Sequence, residues 1–208
     1  MQLREALSDI AEIRAALDRT QTYRGFRSIA IGISALFVMS GAVVQLRIDV
    51  TRRPGTYLNT WLCVALASLV VAVIEMIVRG RVSNDLAVWK MHGRVAMSLL
   101  PSFLVGALIT AVVILDPYRS MVKLNYDNMW LLPGIWSMIY SLGLFASCNL
   151  LHRTTRFAAL YYLVAGLLYF SLTWRERALE AWHMVAIFGV GQLILAAILF
   201  WKVERRFG

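Results

Sequence analysis

Few residues in this chain are of types that do chemistry in an apolar setting, and their spacing decides which chemistry is left. Glu75 is the one carboxylate inside a long apolar run, and an ionisable group at membrane depth is a functional candidate by default. Arg79 follows four residues later, so an i,i+4 pair or a side chain reaching for the interface would satisfy it structurally. The three histidines, His92, His152 and His183, raise the question of haem, which needs two axial ligands at one depth on facing helices. His92 and His152 both belong to segments expected on the inner side and His183 to the outer side, so haem is disfavoured and no cofactor is expected. No HExxH, His/Cys cluster or paired-carboxylate spacing occurs, which disfavours a metalloprotease or di-metal centre. Gly32-Ile33-Ser34 bears only a superficial likeness to an intramembrane serine-protease motif, and no histidine lies at a matching depth. No catalytic or metal-binding residue emerges, and the chain leans away from being an enzyme.

A second group of candidates comes from residues that interrupt helices. Pro101 lies about seven residues into the third apolar run and Gly189-Val190-Gly191 about eight into the sixth. Gly32 and Pro133-Gly134 likewise fall early in the first and fourth. Two groups of three spans would be inverted in topology, and matching interruptions in inverted halves mark a transporter's midplane site. Gly and Pro are also ordinary in membrane helices. Gln192, beside Gly191 in an otherwise apolar run, is the polar group best placed to line a cavity. Gln45 and Asn149 are the other strong hydrogen-bonding groups near the hydrocarbon. The candidate cavity is therefore Glu75, Pro101, Gly189, Gly191 and Gln192.

The elements that would position these residues follow from composition. Of the 208 residues, 60% are of hydrophobic type and 16% are charged, far outside the soluble range of roughly 45–50% and about 25%. The apolar residues fall in runs at about 28–46, 57–78, 95–115, 128–151, 157–174 and 182–201, none containing Lys or Arg. Each is long enough for a helix to cross a hydrocarbon layer of about 30 Å. A transmembrane β-barrel needs short segments of alternating polarity, which these are not. The expected fold is all-α: a polytopic bundle over residues 25–208 with six transmembrane helices. Acids at Glu5, Asp9, Glu12 and Asp18 interrupt the start of the chain, so no cleaved signal peptide is expected.

Charge placement sets the expected orientation. With the N-terminus inside, inner segments carry fourteen of the Lys and Arg residues and outer loops seven, which favours both termini in the cytoplasm. The net charge of +9 then reflects topology and contact with an anionic lipid bilayer rather than direct binding of nucleic acid. The expected location is a bacterial inner membrane. Before the first span, Leu3, Leu7, Ile10, Ile13 and Leu17 recur three and four apart among charged residues, the pattern of an amphipathic helix within residues 1–24. It could lie on the membrane surface, or dock a cytoplasmic protein partner or a second copy of the chain.

Further expectations concern packing. Ser83-Asn84-Asp85 offers a helix start running through Trp89 and His92 into the third span. Tyr57, Trp61, Trp130, Trp174, Trp182 and Trp201 sit towards span ends, where aromatic belts anchor helices at the interface. Small residues four apart, Ala30 with Ser34, Gly106 with Thr110 and Ser137 with Ser141, suit close helix contacts. Cys63 and Cys148 fall roughly 20 Å apart in depth by helix rise, too far for a disulfide.

The stretch Leu131–Ser147 (LLPGIWSMIYSLGLFAS), with Ala11–Arg14 (AEIR) and Tyr23–Phe26 (YRGF), resembles a group of bacterial six-span integral membrane proteins often encoded near winged-helix regulators. The likeness covers about a third of the chain. It implies a regulatory setting and carries over no catalytic residue. Two functions stay open. One is a non-enzymatic sensor or scaffold that engages a partner through Leu3–Leu17. The other is a small transporter of an amphipathic or neutral solute with a site between the third and sixth spans.

Overall fold

Residues that are apolar on every side have one way to satisfy their backbone in hydrocarbon, which is to close each N–H and C=O within a helix. The computed structural model describes residues 28–47, 54–83, 86–115, 128–151, 153–173 and 179–201, and among these it contains helices and no strand. In chain order they are α1 (Ser28–Gln45), α2 (Pro54–Ser83), α3 (Leu86–Ile114), a 3-10 turn (Met129–Leu131), α4 (Leu132–Ser147) and α5 (Thr155–Leu172). The last span comprises α6 (Ala181–Met184), a π-helical turn (Val185–Gly189) and α7 (Val190–Leu199). Six of the resulting helices are long and apolar enough to cross a membrane, which makes this a multi-pass membrane protein. Leu3, Leu7, Ile10, Ile13 and Leu17, together with His152 and Trp174, lie outside the described residues.

Four of the six spans make the core. α4 lies on α5 along its length, α1 on α2 and α7, α5 on α7, and α3 on α4. Small polar residues permit the closest approaches. Ser137 and Ser141 are fully buried and donate across to the carbonyls of Tyr162 (2.6 Å) and Ala159 (2.7 Å) on α5. Gly166 faces the Gly134 carbonyl so closely that a Cβ there would lie 3.0 Å from its oxygen. On the other side of α4, Gly143 receives Ser102, Ser98 meets Ser147 at 2.5 Å and Trp136 Nε1 donates to Thr110 Oγ1 at 2.8 Å. The stripe that holds α3 to α4 is thus small and hydroxylated. An adjacent core of Ile31, Leu144, Ala158, Tyr162, Ile187 and Leu195 joins α1, α4, α5 and the last span.

α2 and α3 behave differently. They run for 30 and 29 residues, about 45 Å at 1.5 Å per residue, against 16 to 18 for α1, α4 and α5. The apolar runs end at Val78 and begin at Val95, yet both helices continue through Arg79, Arg81, Lys90 and Arg94, because a charge in water does not interrupt backbone hydrogen bonding. The pair meets where Trp89 covers Gly80 and touches little elsewhere.

Several expected interruptions are not interruptions. α3 runs unbroken through Pro101, whose side chain is on the exposed face. Gly32 is inside a continuous α1. Pro133 is in the first turn of α4, where its missing N–H would have had no helical partner anyway. The sixth span alone departs from α geometry, at the π turn that ends on Gly189. The inverted halves anticipated from Gly and Pro positions therefore share no common break among the described residues.

Candidate functional site

The end of the bundle at which α1 finishes and α2 begins, here the upper end, collects the most deeply buried polar side chains. Gln45 is the last residue of α1, Tyr57 and Trp61 lie one turn apart at the start of α2, Tyr169 is in the last turn of α5 and His183 is in α6. All five are almost fully enclosed: Gln45 is 3% exposed, Tyr57 1%, Trp61 2%, Tyr169 4% and His183 5%. Their apolar setting is supplied by Ala42, Met129, Leu132, Ala181 and Met184.

Some of their hydrogen-bonding capacity is used. Gln45 Nε2 donates to the Leu179 carbonyl at 2.7 Å, and Tyr169 donates to the Trp130 carbonyl at 2.8 Å. His183 Nε2 lies 3.3 Å from Thr173 Oγ1, and its ring stacks on Trp182 at 3.8 Å and meets Tyr169 edge-on at 5.3 Å. Tyr57 meets Trp61 edge-on at 6.2 Å, and the Tyr57 and Tyr169 hydroxyls are near enough to interact electrostatically. Four buried atoms are left with no partner: Gln45 Oε1, Tyr57 OH, Trp61 Nε1 and His183 Nδ1. Burying such a group unpaired costs about 1–3 kcal/mol, so an acceptor, two donors and an imidazole nitrogen are held here at a cost that packing must offset. No charged side chain joins them among the described residues; Glu180 is engaged at the exposed rim by Trp182 Nε1 at 2.5 Å.

Below this cluster lies an aromatic seam. Tyr140 and Tyr162 meet at 4.8 Å, Phe188 lies 5.8 Å from Tyr162, and Gln192 Nε2 reaches Tyr140 OH loosely at 3.5 Å. Tyr161 donates to the Ala186 carbonyl within the π turn. Tyr162 OH is buried without a partner. Gly191 rests directly on the Tyr162 ring, which leaves no room for a Cβ.

The residues singled out from sequence are dispersed. Glu75 is half-buried and paired with Arg79 at 3.2 Å on its own helix, the structural alternative recognised above. Pro101 is exposed on α3, whose partner is α4, whereas Gly189 and Gly191 face Val38 and Tyr162. The structure does not bring these five together at one point between the third and sixth spans. Gln192 and Gly191 alone join a polar constellation, with spans four and five. His92 is buried beside Trp89, and Cys63 and Cys148 are free thiols. Among the described residues no group of His, Cys, Asp and Glu could hold a metal ion.

Tyr57 and Trp61 correct an expectation outright. They are not belt anchors but core residues, because the first turns of α2 pack inward against α1 at Gly41. Trp182 and Trp201, each 58% exposed, do occupy belt positions. The missed signal was the i,i+4 pairing of Tyr57 with Trp61 facing the terminal Gln45 across a short connection. Comparison of the chain with protein-family models, with curated proteins and with solved structures finds no match to any of them.

Proposed function

We propose that this protein is a non-enzymatic membrane sensor that binds a small, neutral, membrane-soluble molecule in the upper polar cluster and reports occupancy to a cytoplasmic partner. The single observation behind this reading is the set of four buried, unpartnered polar atoms on α1, α2 and α6. A molecule with carbonyl or hydroxyl oxygens would accept from Trp61 Nε1 and Tyr57 OH and donate to Gln45 Oε1. Enclosure by apolar side chains and the lack of a counter-charge favour a neutral molecule. α1 links the two ends, because Gln45 and Ser28 are its termini and the segment carrying Leu3–Leu17 immediately precedes it. In this reading the protein sits in a bacterial inner membrane with both termini in the cytoplasm.

Thermal unfolding of the purified protein in detergent tests the reading, with a short-chain alkyl benzoquinone as probe and the matching alkylbenzene as control. The quinone should raise the melting temperature of the wild type and the alkylbenzene should not. Y57F and W61F should remove that rise. An equal rise in both variants, or none in the wild type, defeats the proposal. Deleting residues 1–19 should leave the quinone response intact while ending partner capture.

A second reading, a small transporter of a neutral solute, is favoured by the π turn of the sixth span, since π turns concentrate at functional sites. Its site would be the Tyr140, Tyr162 and Gln192 seam among spans four to six. Uptake by proteoliposomes that disappears in Q192L would support it over the sensor.

A further inference from the structure

The lower end of the bundle, opposite the polar cluster, carries a groove of about 300 Å³ on the lipid-facing side between the start of α1 and the end of α7. Ser28, Ile29, Ala196, Ala197, Phe200 and Trp201 line it. Ala196 and Ala197 are small where Leu193 and Phe200, one turn to either side, project into the surroundings. The result is a slot walled by Ile29, Phe200 and Trp201, all exposed, and almost wholly apolar.

Charge says what fills it. The residue covalently before Ser28 is Arg27 and the one after Trp201 is Lys202, each Cα therefore about 3.8 Å from that of a lining residue. Arg24, Arg205 and Arg206 lie close by in sequence, against one acid, Glu204. An acyl-sized apolar slot ending in a concentration of positive charge matches an amphiphile with the opposite ending. We infer that this groove is a binding site for an anionic phospholipid, with an acyl chain along Ala196 and Ala197 and the phosphate at the level of Ser28. Basic sites between membrane helices recognise such headgroups on electrostatic grounds, and Trp201 belongs at that level. The site is separate from the polar cluster and does not depend on it.

The test uses full-length protein in nanodiscs of equimolar phosphatidylglycerol and phosphatidylcholine, released into native mass spectrometry. The wild type should keep phosphatidylglycerol in clear excess. The double variant R27Q/K202Q should lose that preference, on the order of fivefold for each charge removed, while still retaining lipid. Filling the slot with A197W should abolish retention of either lipid at an unchanged melting temperature. Equal retention of the two lipids by the wild type overturns the inference, and so does undiminished retention in A197W. If A197W melts early, tryptophan quenching by dibrominated phosphatidylglycerol decides instead. It should exceed quenching by dibrominated phosphatidylcholine in the wild type and lose that excess in W201F; the same quenching by both lipids sinks the proposal.

Discussion

Spans two and three bury 6% and 11% of their membrane-crossing windows, whereas spans one, four, five and six bury between 33% and 44%. Both groups are similarly apolar, so hydropathy does not distinguish them. What differs is the residue type on the contacting face. α4 and α5 present Gly134, Ser137, Ser141 and Gly166 to each other, and backbones come close enough for hydroxyls to reach carbonyls. α2 has an equivalent serine, Ser68, that bonds only to its own helix at Val64. In lipid, where apolar side chains gain nothing by leaving the solvent, packing and interhelical hydrogen bonds decide association. The core is therefore the part with small and hydroxylated faces, and α2 with α3 is a hairpin attached at its edges.

The comparison can be broken most forcefully at Gly166. Leucine there must displace the Gly134 carbonyl as well as Met138, and overpacking of this kind costs about 3 kcal/mol. The variant should lose most of its folded yield and melt well below the wild type, while G93L, whose Cβ meets nothing within 4 Å, should melt with it. If both fall equally, the division is wrong.

The next effect is smaller. Replacing Ser137 and Ser141 together by alanine should cost about 0.6 kcal/mol for each bond, seen in equilibrium unfolding from mixed micelles, and S68A should cost nothing measurable. Trp136→Phe removes the bond to Thr110 and should cost a similar 0.6 kcal/mol, loosening α3 from α4 without disturbing α5. The smallest effect belongs to the hairpin tip. G80L would push Trp89 away, widening the separation between spin labels at Arg81 and Lys90 while leaving the melting temperature alone. A fall in melting temperature there would show that the hairpin supports the core.

Much of this division escapes a reading of the sequence. The six spans are legible because apolar runs of this length have one backbone solution, and Ser137 with Ser141 is legible because small residues four apart share a face. Which spans form the core is not, since α2 is as apolar as α1 and nothing in its composition says that lipid will be its main neighbour. Tyr57 and Trp61 were misread for a related reason. An aromatic residue near a span end has the same local sequence whether it points to the headgroups or to Gln45. Pro101 misled because a proline breaks one backbone hydrogen bond in a helix but only sometimes bends it enough to create a site. Gly191 was picked for flexibility, yet its role is to make room for Tyr162.

The π turn from Val185 to Gly189 amounts to one residue inserted into an otherwise regular helix. Excising a single residue there would restore α geometry and swing everything beyond it by about 100°, carrying Gly191 off the Tyr162 ring and Gln192 away from Tyr140. Gene length, not side-chain identity, thus sets which face α7 turns inward. A one-codon deletion in this stretch should be more damaging than most substitutions within it.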